Sequence, residues 1–538
     1  MSWLFALRLG RWGIAGFSVL AFAITLANVL SFYVLAGTTP EQQKAFGNSI
    51  TQIALQFSVL VPPPIRPDTV GGYVQFRAYG ALSILFSLWA LVSASGATRA
   101  DEERGIVEAV LATGVSRADA LSARIAAFAG GSLLACGAAA LGLATGVAHA
   151  GDTVDAGSVL GATADLAGIT LCSYTLAVLV CQFFAPRIAT AAAGVVLLAL
   201  FLIDSFGRSI DTVQRWQWIS PFYYFNLSRP LPPGGPFDVR AVEVLFVIAA
   251  AAAVASMLAF AYRDVGSPLL KLPVRGHRVT RAPAGLVWAI PVVRGVFDRR
   301  YGLAVWLVGL SALAYLFTVL TKEIVKPLLQ LQSLQPFFNF VVNGDLYPSF
   351  LGYVWFSVAQ LLFAGYAITQ VVRWAAEDGD GRLDLTLSHP YSRVAVVVER
   401  ALVAALGALA LALVTAAVVQ IQAGREGILI GTPRLLTASL LLVPFATFLM
   451  AIGAVLTAVL PRAAAAVLGA FAITGYFVTE LGPIFKWPAW VLDLSPFHLY
   501  GQPLADGVDS TGLAIMLAVS VAGLFASALL MNRRDVGA

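Results

Sequence analysis

Lysine is scarce in this chain. Of 538 residues only Lys44, Lys271, Lys322, Lys326 and Lys486 are lysines, and none follows a glycine. A phosphate-cradling G-x-x-x-x-G-K-[S/T] loop needs the lysine and the glycines together, so ATP hydrolysis by that route is not expected within the chain. Histidine is equally sparse: His149, His277, His389 and His498 are not paired at metal-ligand spacing, and no H-E-x-x-H occurs. The G-x-S-x-G elbow of a serine hydrolase is missing too. These absences speak against an embedded enzyme, and no catalytic residue, metal site or cofactor is expected in the chain. The three cysteines, Cys136, Cys172 and Cys181, fall in apolar stretches and read as small packing residues, not a disulfide framework. Charge is the largest deficit. Asp, Glu, Lys and Arg make up 12% of the residues, against about 25% in a soluble domain.

What fills the space is apolar: 59% of the residues are hydrophobic. Several runs exceed the roughly 20 residues that cross a bilayer core. The expected fold is an all-α polytopic membrane protein with about twelve transmembrane helices, six per half. They lie near 14–36, 76–98, 121–148, 159–184, 188–206, 241–262, 301–320, 351–373, 395–421, 435–460, 463–484 and 511–531. The N-terminal run is too long for a cleavable signal peptide. The net charge of +5 has a location that explains it, and nucleic acid is not an expected partner. The loop 263–300 alone carries Arg263, Lys271, Arg275, Arg278, Arg281, Arg294, Arg299 and Arg300. By the positive-inside rule this places both termini in the cytoplasm of a multi-pass protein of the cell membrane. The abundance of Arg over Lys, and of Ala, points to a GC-rich bacterial genome.

The chain also repeats itself at an offset of about 276 residues. DEERGIVEAVLATGVSR at 101–117 lies over EDGDGRLDLTLSHPYSR at 377–393. Ser220–Pro221–Phe222 matches Ser495–Pro496–Phe497, Pro186–Arg187 matches Pro461–Arg462, and Arg263–Asp264–Val265–Gly266 matches Arg534–Asp535–Val536–Gly537. Self-similarity at a fixed period decides architecture. The expected organisation is a first six-span half at 1–262, a basic linker at 263–298 and a second half at 299–538. The linker joins two cytoplasmic ends, so the halves are parallel repeats. Each half begins alike, with Arg11–Trp12–Gly13 in one and Arg300–Tyr301–Gly302 in the other. That lead-in is either an amphipathic segment on the inner surface or ordinary positive flanking.

The repeated loop after the second span is the principal candidate site. Read as one helix over 101–114, Ile106, Val107, Val110 and Leu111 form a stripe, and Asp101, Glu102 and Glu103 crowd its first turn. Acids beside an anionic inner leaflet are unfavourable, so an acidic and apolar face suits a groove on a protein partner better than lipid. Two copies imply a partner with two equivalent sites. On the outer side, WISPFYYF near 218–225 and WPAWVLDLSPFHLY at 487–500 suggest a short, partly re-entrant helix in each half, built around Pro221, Phe222, Pro496 and Phe497. A plain interfacial loop is the alternative. Asp204 and Glu480 stand at matching outer ends of the fifth spans. They are either polar elements of an outer gate or interfacial carboxylates reaching water. Asp165, with no acidic counterpart, reads as interfacial.

At the repeated loop the sequence resembles the membrane subunit of type-2 ATP-binding-cassette exporters. That family shows E-x-x-x-G-[T/I]-x-E-x-L-L-x-[T/S]-x-[V/P]-S-R after the second span. The twelve-span duplication is similar to that of actinobacterial polyketide-antibiotic (tetronasin-type) exporter permeases. The resemblance implies coupling helices at 101–114 and 377–390, inserted into two separately encoded ATPase subunits that bind the ATP and Mg. Glu102, Glu103, Gly105, Glu108 and Leu111, with Asp378, Gly381, Asp384 and Leu387, carry the match. It implies elbow helices at 3–13 and 293–301, and a path for a hydrophobic antibiotic, drug or lipid-like molecule lined by spans two, five, eight and eleven, with Trp89, Phe201, Trp355 and Tyr476 as candidates. Gly379 in place of Glu103, and Pro390 in place of Gly114, make the second copy the weaker expected docking site. The rival readings are an ion-coupled multidrug transporter, whose short Gly-Asp-Arg-Gly-Arg loop is not found here, and a non-transporting scaffold or sensor that docks the same ATPase.

Overall fold

The structure, a computed structural model, describes residues 3–37, 39–56, 62–208, 210–270, 288, 290–329, 346–379, 381–461 and 463–533. Most of the basic linker and the repeat copy at Arg534–Gly537 lie outside them. Among the described residues there is no strand, as expected where lipid leaves backbone groups no partner but their own helix. Among the described residues twelve helices are long and apolar enough to cross a membrane. In order they are Phe5–Ala36, Val70–Glu103, Arg117–His149, Ala156–Phe183, Ile188–Gly207, Val239–Tyr262, Arg300–Val319, Tyr347–Asp378, Arg393–Arg425, Thr432–Val459, Ala464–Leu481 and Ser510–Arg533, called spans one to twelve below. All twelve expected spans are present. The helices run past several of the expected boundaries because polar residues such as Arg117 and Asp119 extend them beyond the apolar stretch. The chain forms two compact units, Met1–Arg278 and Val279–Ala538, with six spans each. The even-numbered spans of each unit end on the face where its first span begins, called the N-terminal face below.

In the first unit, span three lies along span one through small residues. A Cβ on Gly142 would stand 2.5 Å from the Phe22 carbonyl oxygen, and one on Gly146 would stand 2.8 Å from Val29. Such close approach is how helices gain contact where lipid offers no hydrophobic driving force. Span four is the most enclosed helix. It packs on spans two, three, five and six, with Tyr174 stacked on Phe128 at 3.9 Å and Ser173 hydrogen-bonded to Ser87 at 2.9 Å. Span ten has the same place in the second unit, against spans eight, nine, eleven and twelve. There the Tyr500 hydroxyl donates to the Ala438 carbonyl at 2.9 Å.

The start of the first unit differs from the sequence reading. The lead-in at 3–13 is no separate elbow: one helix runs unbroken over Trp3–Ala36, because nothing between Trp3 and Ile14 interrupts it. The second unit does have a separate helix, Pro291–Asp298, started by Pro291 and ended at Arg299. The loop after span one holds a helix, Pro40–Gln56, whose Phe46 packs on Phe32 and Tyr73.

On the opposite face each unit has a short helix with the same construction, Pro221–Leu227 and Pro496–Tyr500. The serine before each proline accepts from a backbone N–H at 3.2 Å, that of Phe222 or Phe497. The same hydroxyls donate 2.7 Å bonds into the fifth span of their unit, Ser220 to the Leu200 carbonyl and Ser495 to that of Gly475. Each serine thus caps one helix and ties it to another. Ser220→Ala and Ser495→Ala should each lower stability by about 1–2 kcal/mol, read as a fall in thermal midpoint of the purified protein in detergent. Unchanged midpoints would show the ties to be dispensable.

Candidate functional site

The repeated loop is not one helix. Span two ends at Glu103, and Arg104 and Gly105 turn the chain, with Gly105 at φ 71°, ψ 8°. Its N–H bonds the Glu102 carbonyl at 3.0 Å. In the second copy Gly381 has φ 70°, ψ 8° and bonds the Asp378 carbonyl at 3.2 Å. This left-handed turn is cheap only for glycine. The helices that follow are six residues each, Ile106–Leu111 and Arg382–Leu387. The expectation of a single helix over 101–114 and 377–390 is therefore corrected. Ser116 and Ser392 then cap spans three and nine, accepting from Asp119 and Ala395 at 3.1 Å.

The break reassigns the acids. Asp101 and Glu102 are not in the first turn of a surface helix. They are buried at the end of span two. Glu102 pairs with Arg99 at 2.9 Å and with Arg263, which closes span six. Arg99 also donates to the carbonyls of Cys181 at 2.7 Å and Gln182 at 3.1 Å, the last turn of span four, and the Arg263 Nε donates to the Gln182 side chain at 2.7 Å. Asp101 pairs with Arg124 of span three. Glu102 is thus out of reach of a docking partner. A π-helical turn at Gly96–Ala100 sets the register that brings Arg99 inward.

The apolar stripe also faces inward. Ile106, Val107 and Val110 line a small cavity with Ala120, Leu121 and Phe260, floored by Glu102, Arg124 and Arg263. Leu383 is buried, and Leu387 packs beside it on Val396, Val397, Ala458 and Met531. What each helix presents outward is different. In the first copy it is Glu103, Glu108, Ala109 and Ala112. In the second it is Asp384, Thr386 and Leu385, which is 69% exposed. Glu103, Glu108 and Asp384 keep the exposed positions expected of them. Leu111 and Leu387 are half-buried.

The opposite face holds a polar cluster in the first unit. Asp204 is buried, pairs with Arg208 and accepts from Asn226 at 2.8 Å. It does not reach water. Arg229 lies beside the cluster and donates to the Pro63 carbonyl at 2.5 Å. Burial lowers the pKa of its guanidinium and Arg208 adds to this, while Asp204 opposes it. The matching serine ties above are 275 residues apart, so Thr479, not Glu480, stands opposite Asp204. Thr479 is hydrogen-bonded to Ser495 at 2.8 Å, and Glu480 is displaced by one residue, about 100° around the helix. Asp204 and Glu480 are thus not an equivalent pair. Phe201 and Tyr476 do occupy matching places, each edge-on to the aromatic of its short helix, Phe222 at 5.4 Å and Phe497 at 5.6 Å. Trp89, stacked on Phe17 at 4.7 Å, and Trp355 are buried inside their own units.

A protein-family model described as "Multidrug efflux system permease Rv1217c, C-terminal domain" matches residues 68–261 and 282–532. The chain belongs to this family. No curated protein matches it. The two matched stretches fall one in each unit, beginning near the second span of the first and ahead of span seven in the second. It is a multi-pass membrane protein.

Several residues that build the site carried no role in the sequence reading. Arg117 and Arg393, the last residues of the repeated motif, reach the chain end of the unit's last span. Arg117 donates to the carbonyls of Ala261 and Arg263, and Arg393 donates to that of Met531 at 2.6 Å. Their recurrence after a capping serine was a visible signal. Arg99 and Arg263 were legible only as positive flanks of their spans. Glu102→Ala should destabilise the permease by about 3–5 kcal/mol, because it leaves two buried guanidinium groups unpaired. Glu103→Ala, one residue on and exposed, should move the thermal midpoint little. Equal midpoints for the two variants would overturn the assignment.

Proposed function

We propose that this permease is the membrane subunit of an ATP-binding-cassette exporter, with Ile106–Leu111 and Arg382–Leu387 as the helices that engage two ATPase subunits. The observation that carries the reading is the shared construction on the N-terminal face. In both units a six-residue helix is fixed by a left-handed glycine at one end and a capping serine at the other. Its apolar side is seated on the permease, and its acidic side is free. A helix that short has no stability of its own, so its position reports that of the spans it joins. ATP and Mg belong to the partner, and the N-terminal face is then the cytoplasmic face of a bacterial cell membrane. The cargo is an apolar compound moved outward, in keeping with the efflux family.

The outward residues define the test. The permease, co-expressed with an ATP-binding-cassette ATPase subunit of the same genome, should retain its own partner through purification. Glu108→Arg with Leu385→Asp should release it while leaving the thermal midpoint near wild type. Leu111→Asp with Leu387→Asp, on the inward side, should lower the midpoint instead. Inside-out vesicles carrying both subunits should take up a lipophilic fluorescent dye on addition of ATP, and should still do so when the proton gradient is collapsed. Uptake that followed the gradient and ignored ATP would refute the exporter reading.

A further inference from the structure

Span four carries one acidic side chain, Asp165, ten residues into Ala156–Phe183 and about 14 Å along the helix. The sequence placed it at the interface with water. The structure buries it, at 1% exposure, and neither carboxyl oxygen has a hydrogen-bond partner among the described residues. Its surroundings follow from helix periodicity, since residues four before and three after share its face. A Cβ on Gly161 would meet the Phe237 ring, and one on Gly168 would meet Leu245 and Phe246. Asp165 therefore looks onto the apolar side of span six.

The charged groups on the packed elements are exposed or committed to other partners. Arg77, His149, Arg240 and Glu243 are exposed. Arg99, Arg124 and Arg208 are committed to Glu102, Asp101 and Asp204. Tyr79 of span two is buried, its hydroxyl makes no hydrogen bond among the described residues, and its neighbour on span four is Thr163. Thr163 precedes Asp165 by two residues and so points elsewhere. A bare carboxylate in such a place is strongly disfavoured unless it is neutralised. Each oxygen exposes less than 1 Å², so nothing larger than a proton reaches it in this conformation.

We propose that Asp165 is a proton-binding site of the first unit. It holds a proton while span four is packed against span six and releases it when that interface opens to water. The step is a simple exchange of one proton between the carboxyl and solvent. Protons then favour the packed conformation, and their removal favours the open one. The second unit has no such site among the described residues. Spans four and ten are both 28 residues long, and the position matching Asp165 is Leu441, buried and apolar. Proton binding is thus a property of one half of an otherwise repeated molecule.

The test needs neither cargo nor ATPase, so its outcome is independent of the exporter reading. Infrared spectra of the full-length permease in phosphatidylcholine vesicles at pH 7 should show a protonated carboxyl C=O band that Asp165→Asn removes. Thermal unfolding from pH 5 to pH 8 should then separate wild type from variant. Above the pKa of the unfolded carboxyl, the unfolded state sheds a proton that the native state keeps. Wild type should therefore lose stability relative to Asp165→Asn as pH rises, by up to about tenfold per pH unit in the folded-to-unfolded ratio. Asp165→Leu, which copies Leu441, should track Asp165→Asn and replaces it should that variant not fold. An unchanged C=O region, or a stability gap constant with pH, would overturn the proposal.

Discussion

One carboxylate organises the N-terminal face of the first unit. Spans two, four and six all end there, and each leaves its last carbonyls without helical partners. Three helix ends converging in a buried place accumulate partial negative charge. Arg99 and Arg263 answer it: Arg99 takes the last carbonyls of span four, and Arg263 takes the Gln182 side chain and its own chain end. Two buried guanidinium groups side by side would repel, and Glu102 between them removes that repulsion. The cluster is therefore one object. Deleting the glutamate would leave a charge problem that no neighbour solves, whereas replacing the whole cluster by apolar side chains could in principle cost little.

The second unit changes one member of that cluster and keeps an acid, Asp378, at the place of Glu102. Ala375 stands where the first unit has Arg99, and the apolar group Leu383, Val396, Val397, Ala458 and Met531 lies beneath the short helix. Among the described residues both units share the outer pair of the motif: Asp101 with Arg124, and Glu377 with Arg400 at 2.8 Å. Arg299, half-buried alongside, has its pKa lowered first by desolvation and then by Arg373. Beneath the surface helix of the second unit the apolar group is joined by the charged pair of Glu377 and Arg400. The sequence suggested that the second copy is the weaker because Gly379 and Pro390 depart from the motif. The packing shows a firm seat beneath it, so a difference between the two copies has to come from their outward residues.

The spans were legible because an apolar run of about twenty residues suits little besides a bilayer core, and the duplication because glycine, serine and arginine recur at turns where geometry demands them. The burial of individual acids was not legible. An acid run at the start of an amphipathic stretch looks the same whether it caps a new helix or ends an old one, and only Gly105 with a positive φ decides between them. The inward direction of the stripe was hidden for the same reason, since the break after Glu103 resets the helical phase. The equivalence drawn between Asp204 and Glu480 failed by one residue because the offset narrows from 276 to 275 between the repeated loop and the fifth span. A shift that leaves an alignment plausible moves a side chain a quarter-turn around a helix.

The short helices also explain why so much polar chemistry surrounds them. Six residues cannot hold a helix by backbone bonds alone, and a seat of apolar contacts would let it slide. The glycine turn fixes its start to the end of the second span of each unit, and the capping serine fixes its exit to the third. Arg117 and Arg393 then fasten that third span to the unit's last one. A force applied to the outward face of such a helix has no soft element in which to dissipate before it reaches three spans. The rigidity lies in the connections, which is why the residues that recur between the two copies are the turn, the cap and the arginine, while the faces presented outward share one acid, Glu108 or Asp384, and differ beside it, with Ala109 in one and Leu385 in the other.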